Sequence, residues 1–104
     1  MEITDKNFDK EIIKSKVPVL IEFWASWCVP CKMMEYLLKE LDEKYDGKIK
    51  IAKLNIDRNK KVPRKYDLTG VPTFITFKKG NIVEIKVGAQ TKENLNNMIQ
   101  KVLK

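Results

Sequence analysis

Trp27-Cys28-Val29-Pro30-Cys31-Lys32 decides the reading of this chain, because it holds both cysteines of the 104 residues. Before it lies an apolar run, Val17 to Ala25, that reads as a buried strand. After it, Met33 to Tyr45 reads as a helix. A Cys-x-x-Cys pair at a strand-to-helix junction is the pattern of a dithiol redox site. Residues three apart share a helix face, so the two sulfurs can bond without straining the backbone. Cys28 would stand at the helix start, where unpaired N–H groups and the helix dipole favour a thiolate. Pro30 suits the first turn, where the N–H it lacks has no intrahelical partner. Cys31 is expected to lie deeper. Cys28 is therefore assigned as the attacking nucleophile and Cys31 as the resolving thiol.

Two blander readings compete with this one. As a structural staple, the pair would close a four-residue loop worth roughly 2 kcal/mol, against about 4.7 kcal/mol for a loop of about a hundred residues. As half of a metal site, it would need further ligands. The chain offers two cysteines and no histidine, so a zinc ion would have to bridge two chains. Redox chemistry is the reading that fits, and no metal is expected.

Composition narrows the remaining classes. With 43% hydrophobic residues there is enough apolar side chain for one core, and a single domain over residues 1–104 is expected. The net charge is +7, which raises nucleic acid as a partner. Yet Arg58 and Arg64 are the only arginines among 21 basic residues, and the lysines are dispersed. A solvated lysine surface, able to steer acidic partners, accounts for the charge, and no nucleic-acid binding is expected. No apolar stretch approaches membrane-spanning length, and Met1 to Asp5 opens on polar residues with no apolar signal region behind them. The cytoplasm, where thiols are kept reduced, is the expected location.

Along the chain, Glu2-Ile3-Thr4 reads as a short strand, with Thr4 or Asp5 capping a helix over residues 7–15 that carries Phe8, Ile12 and Ile13. A long helix from Cys28 to Tyr45 presents Met33, Met34, Leu37, Leu38 and Leu41, and Gly47 is the expected left-handed cap. Residues 48–56 read as a strand, 57–66 as a short helix, and 71–77 and 82–87 as strands joined through Lys78-Lys79-Gly80-Asn81. Thr91 caps a last helix with Leu95, Met98, Ile99, Val102 and Leu103 on its buried stripe. The order predicts an α/β fold: a sheet of about five strands with parallel centre and one antiparallel edge, and about four helices on its faces.

Two charged residues interrupt the strands. Glu22 breaks an otherwise apolar run six residues before Cys28. A lone buried carboxylate is unfavourable unless paired or protonated. It reads either as a strand-end residue facing solvent or as a proton acceptor for Cys31. Lys53 falls on the face of Ile49 and Ile51. It reads either as an ion partner of Glu22, with each biasing the other's protonation, or as a lysine that snorkels to water.

Taken together, these residues resemble the thioredoxin family over almost the whole chain. The resemblance is carried by Phe23-Trp24-Ala25, Trp27-Cys28, Pro30-Cys31-Lys32, Ala52 to Asp57, Gly70-Val71-Pro72-Thr73, Phe77 to Gly80 and Lys86-Val87-Gly88-Ala89. It implies the thioredoxin fold and a cis peptide at Pro72. Val71 would pair through its backbone with an extended substrate strand. The docking surface would comprise Trp27, Val29, Pro30, Val71, Pro72, Gly88 and Ala89, with Glu22 and Lys53 as the buried acid and its lysine neighbour. It further implies a monomeric reductase of protein disulfides, with no cofactor of its own, that a thioredoxin reductase recycles. The same fold could run the other way, as a disulfide oxidase or isomerase, or serve as a binding module. Three positions depart from the family pattern: Val29 stands where Gly is usual, Glu22 where Asp is usual, and Tyr36 where many members have a helix-kinking Pro. The last predicts a straighter second helix.

Overall fold

The computed structural model covers residues 1–104 and forms one five-stranded mixed sheet. In chain order the strands are β1 (Glu2–Ile3), β2 (Val19–Trp24), β3 (Lys50–Asn55), β4 (Thr73–Lys78) and β5 (Asn81–Val87). The helical segments are α1 (Asp9–Ile13), α2 (Val29–Met33), α3 (Glu35–Tyr45), α4 (Lys61–Lys65) and α5 (Lys92–Leu103). Across the sheet the strands run β1-β3-β2-β4-β5.

Strands β1, β3 and β2 are parallel, whereas β4 runs antiparallel to β2 and β5 antiparallel to β4. The antiparallel portion is thus larger than the single edge that was expected. Between β3 and β4 the chain turns back at the end of the sheet where it left β3, the end that also carries the β2–α2 junction.

Alternation along β2 divides the core. Leu20 faces α3 and α5, in a cluster with Leu37, Leu38, Leu41, Phe74 and Ile99. Val19, Ile21 and Phe23 face α1 and α4, with Phe8, Leu54, Val62 and Phe77. On that side Phe8, Tyr66 and Phe77 pack edge-on or tilted, with ring centroids 5.8 to 5.9 Å apart.

Several boundaries differ from expectation for local reasons. α1 is shorter than the expected 7–15 and wound wider than an α-helix, because Lys14 N–H reaches back to Asp9 O at 2.9 Å. Thr4 caps its approach, accepting from Lys6 and Asn7 N–H. Asp5 instead caps α4, accepting from Lys61 and Val62 N–H at 3.1 and 3.0 Å. That contact starts α4 four residues later than expected. The left-handed cap of α3 begins at Asp46 (φ 42°), one residue before Gly47. Between β4 and β5, Lys79 and Gly80 both have positive φ (52° and 81°), the primed turn whose twist suits a two-residue hairpin.

The long helix expected from Cys28 to Tyr45 is two segments meeting at Met34, whose N–H bonds to Cys31 O at 3.1 Å in a tightened turn. A straighter helix was expected from Tyr36, but the break needs no proline. Cys31 packs with Ala25 and Cys28, whereas Met34, Leu37 and Leu38 pack in the α3–α5 layer. The tightened turn re-aims the helix between these two clusters.

Candidate active site

The site is assembled where the chain leaves β2 and enters α2. Cys28 and Cys31 are joined by a disulfide with their Cα atoms 5.3 Å apart. Cys28 caps α2 with extended backbone, and its sulfur accepts the Cys31 N–H at 3.2 Å. That N–H points at the atom that would carry negative charge in the reduced protein, which favours its thiolate. Both residues are buried, Cys28 at 4% exposure and Cys31 at 1%, the order expected for an outer and an inner thiol. Pro30 lies within the first turn of α2. No three histidine, cysteine, aspartate or glutamate side chains converge as metal ligands would.

Flanking the pair in the chain, Trp27 and Val29 are 66% and 64% exposed and Pro30 is exposed too, as is Ala89 beyond the end of β5. Trp27 is steadied by Asp57, its indole N–H donating to Oδ1 at 3.3 Å. Val71 is half-buried and packs against the cysteine cluster. The Val71–Pro72 peptide is cis, as the resemblance implied. Pro72 is itself buried, and its carbonyl accepts the Gly88 N–H at 2.7 Å, tying the end of β5 to the loop. Neither the N–H nor the C=O of Val71 is bonded within the chain. The structure therefore brings Trp27, Val29, Pro30, Val71, Pro72 and Gly88 around one junction, with a free backbone edge at Val71.

Glu22 does not face solvent. It is 0% exposed, and neither carboxylate oxygen has a hydrogen-bond partner. It sits on the α3 side of β2, between Leu20 of the α3–α5 core and Trp24, which packs against the cysteine cluster. Burial pushes its carboxyl up to about 7 from the usual 4.5, Lys53 opposes the rise, and Glu35 adds to it. Lys53 is paired with Glu22 in the β2–β3 register. Its ammonium nevertheless turns elsewhere, to Glu35 Oε1 at 3.4 Å and over the Trp24 ring at 4.6 Å from the centroid. The two residues are neighbours without being an ion pair.

Sequence reasoning missed Glu35, Trp24 and Asp57 as neighbours of the site. Glu35 carried a signal, since it lies four residues beyond Cys31 on the same helical run. Trp27 to Asp57 is a contact across 30 positions with no periodic trace. Met33 and Tyr36, each 63% exposed, extend the apolar surface from Val29 along α2 and α3.

Fold and bonded pair together define the class: a redox-active dithiol protein built on a mixed α/β sheet. The profile described as Thioredoxin matches residues 1–101. A thioredoxin of Pseudomonas aeruginosa is 45% identical over 95 residues, covering 91% of this chain and 88% of the relative. One from Rickettsia felis is 41% identical over 99 residues, covering 95% and 94%. Thioredoxin 1 of Nostoc sp. is 41% identical over 102 residues, covering 98% and 95%. The chain belongs to the thioredoxin family. Membership implies disulfide-containing targets. No helix is long and apolar enough to cross a membrane.

Proposed function

We propose that this chain, acting as a monomeric single domain over residues 1–104, is a cytoplasmic reductase of protein disulfides, recycled by a thioredoxin reductase. A substrate strand pairs with the open backbone of Val71 and rests on Trp27, Val29, Pro30, Gly88 and Ala89, with Pro72 holding the loop. The Cys28 thiolate attacks one sulfur of the target disulfide and displaces the other as a thiolate, leaving a mixed disulfide. Cys31 passes its proton to Glu22, with Lys53 beside that carboxylate, and attacks the Cys28 sulfur. The Cys28–Cys31 bond forms as the bond to the target breaks, so the target gains two electrons and the dithiol loses them. The reductase returns those electrons.

The observation that carries this reading is the Cys28–Cys31 disulfide at the mouth of α2, with Cys31 N–H on the Cys28 sulfur. The test is a disulfide-reduction assay coupled to a thioredoxin reductase. Cys28→Ser should reduce turnover to background, and Cys31→Ser should accumulate a covalent adduct with the target that a thiol reagent releases. Turnover retained by Cys28→Ser would overturn the assignment.

A further inference from the structure

Lys53 presents a puzzle of placement. It stands beside Glu22 across the β2–β3 pairing, and the Glu22 carboxylate is buried with both oxygens unpartnered. A lysine stem is long and flexible, and attraction between opposite charges strengthens as water is excluded. Left to that attraction, the ammonium would close on Glu22. Instead it lies 3.4 Å from Glu35 Oε1 and 4.6 Å from the centre of the Trp24 ring.

We propose, building on the assignment of Glu22 as proton acceptor for Cys31, that Glu35 is a positioning residue whose carboxylate, with the Trp24 ring, holds the Lys53 ammonium off Glu22 and so leaves Glu22 free to exchange a proton with Cys31. A Glu22 carboxylate locked in a buried ion pair would be held ionised and would be a poor base. With the ammonium held out, burial prevails over Lys53, and the carboxyl titrates at about 7, where a proton is both taken and returned. The charged groups that act on Glu22 are Lys53 from β3 and Glu35 from α3. Its partner on β4 is Phe74, and α5 contributes Leu95, Met98 and Ile99 to that layer.

In the resolving step Cys31 S–H loses its proton to the Glu22 carboxylate as the Cys31 sulfur bonds to Cys28. The target leaves with the electron pair of the broken bond. When the disulfide is reduced again, the Glu22 carboxylic acid returns that proton to Cys31.

Glu35 has a half-exposed side chain, 55% accessible, so Glu35→Gln leaves the core intact. Glu22 is titrated by carboxyl-carbon NMR on the disulfide form of the wild type, Glu35→Gln, Lys53→Met and the double variant. Glu35→Gln is expected to raise the Glu22 acid dissociation constant about tenfold, the size of effect an approaching cation produces. In the Lys53→Met background the same substitution should change it far less, leaving only the direct push of one carboxylate on another. The proposal is overturned if Glu35→Gln leaves the Glu22 titration in place, or moves it equally with and without Lys53. The pH profile for resolution of a Cys28 mixed disulfide is the second readout, and its acid limb should follow the Glu22 midpoint. A midpoint that moves without the profile following refutes the proton-acceptor role of Glu22 and leaves the restraint on Lys53 standing.

Discussion

Replacing Glu22 with leucine should make the protein more stable, and more so as pH rises. Glu22 is the only buried charged side chain in the chain, and its carboxylate has no hydrogen-bond partner. Folding raises its titration from 4.5 to about 7. Because the folded value lies above the unfolded one, the native state holds the extra proton between them. The contribution of Glu22 to stability therefore falls as pH rises from about 4.5 towards about 7, and stays low above that. At about 1.4 kcal/mol per pH unit, the loss is on the order of 3 kcal/mol. For a chain of this size that is on the order of ten degrees in Tm.

The measurement is denaturant unfolding of the disulfide form at a series of pH values from about 4 to about 8, for wild type, Glu22→Leu and Glu22→Gln. Every other titrating group is common to the three proteins, so the difference between curves isolates Glu22. Both variants should lose the downward slope. Glu22→Gln should sit below Glu22→Leu by a constant offset, since a buried amide without partners costs about 1–3 kcal/mol. A wild-type-to-leucine difference that does not change with pH would refute the reasoning. So would a wild type that gains stability relative to Glu22→Leu as pH rises, since Lys53 would then be stabilising the ionised form more than burial opposes it.

Other perturbations probe the frame and the surface. Asp5→Ala removes the acceptor for two N–H groups at the start of α4 and should cost about 1–2 kcal/mol in denaturant unfolding, with disulfide reduction unchanged. Leu41→Ala empties a fully buried position under α3 and should cost about 2–5 kcal/mol, read from the same transition with its slope preserved. Trp27→Ala, at an exposed site, should shift stability by no more than about 0.5 kcal/mol. It should raise KM for a protein disulfide several-fold while sparing a small aromatic disulfide; equal loss on both would mean that Trp27 acts on the cysteines rather than on docking.

The parts of the molecule that were legible in the sequence are those governed by periodicity and short-range chemistry. The alternation of β2 and the stripe of α5 are read from apolar spacing, and the Thr91 cap from a residue three positions before the N–H it accepts. The meeting of Cys28 and Cys31 follows from their three-residue spacing across the start of a helix. What was hidden depends on contacts between residues remote in sequence. Asp5 looked like a cap for the helix that follows it, yet it caps one 56 positions away, because the β1–β3 pairing carries it there. Lys53 was placed correctly on its face, but its choice of Glu35 over Glu22 depended on where α3 runs after the bend at Met34.

Exposure of apolar residues does not by itself mark a site in this fold. Strand β5 exposes Ile82, Val83, Ile85 and Val87 as fully as many docking surfaces do, and its place at the edge of the sheet explains it. The junction of β2 and α2 differs because independent departures from good folding practice meet there. A carboxylate is buried unpaired at Glu22, Trp27 and Val29 are held out in water, and the Val71 backbone is unbonded. Each would be destabilising or aggregation-prone in a sequence selected for folding alone, and each has a physical remedy close at hand: a nonpolar residue at Glu22, polar ones at Trp27 and Val29, a paired strand at Val71. The four converge on the end of the sheet that carries the two cysteines. Packing accounts for none of the four, whereas thiol–disulfide chemistry at that end gives each a use: Glu22 to take a proton, Trp27 and Val29 to meet a target, and Val71 to pair with its backbone.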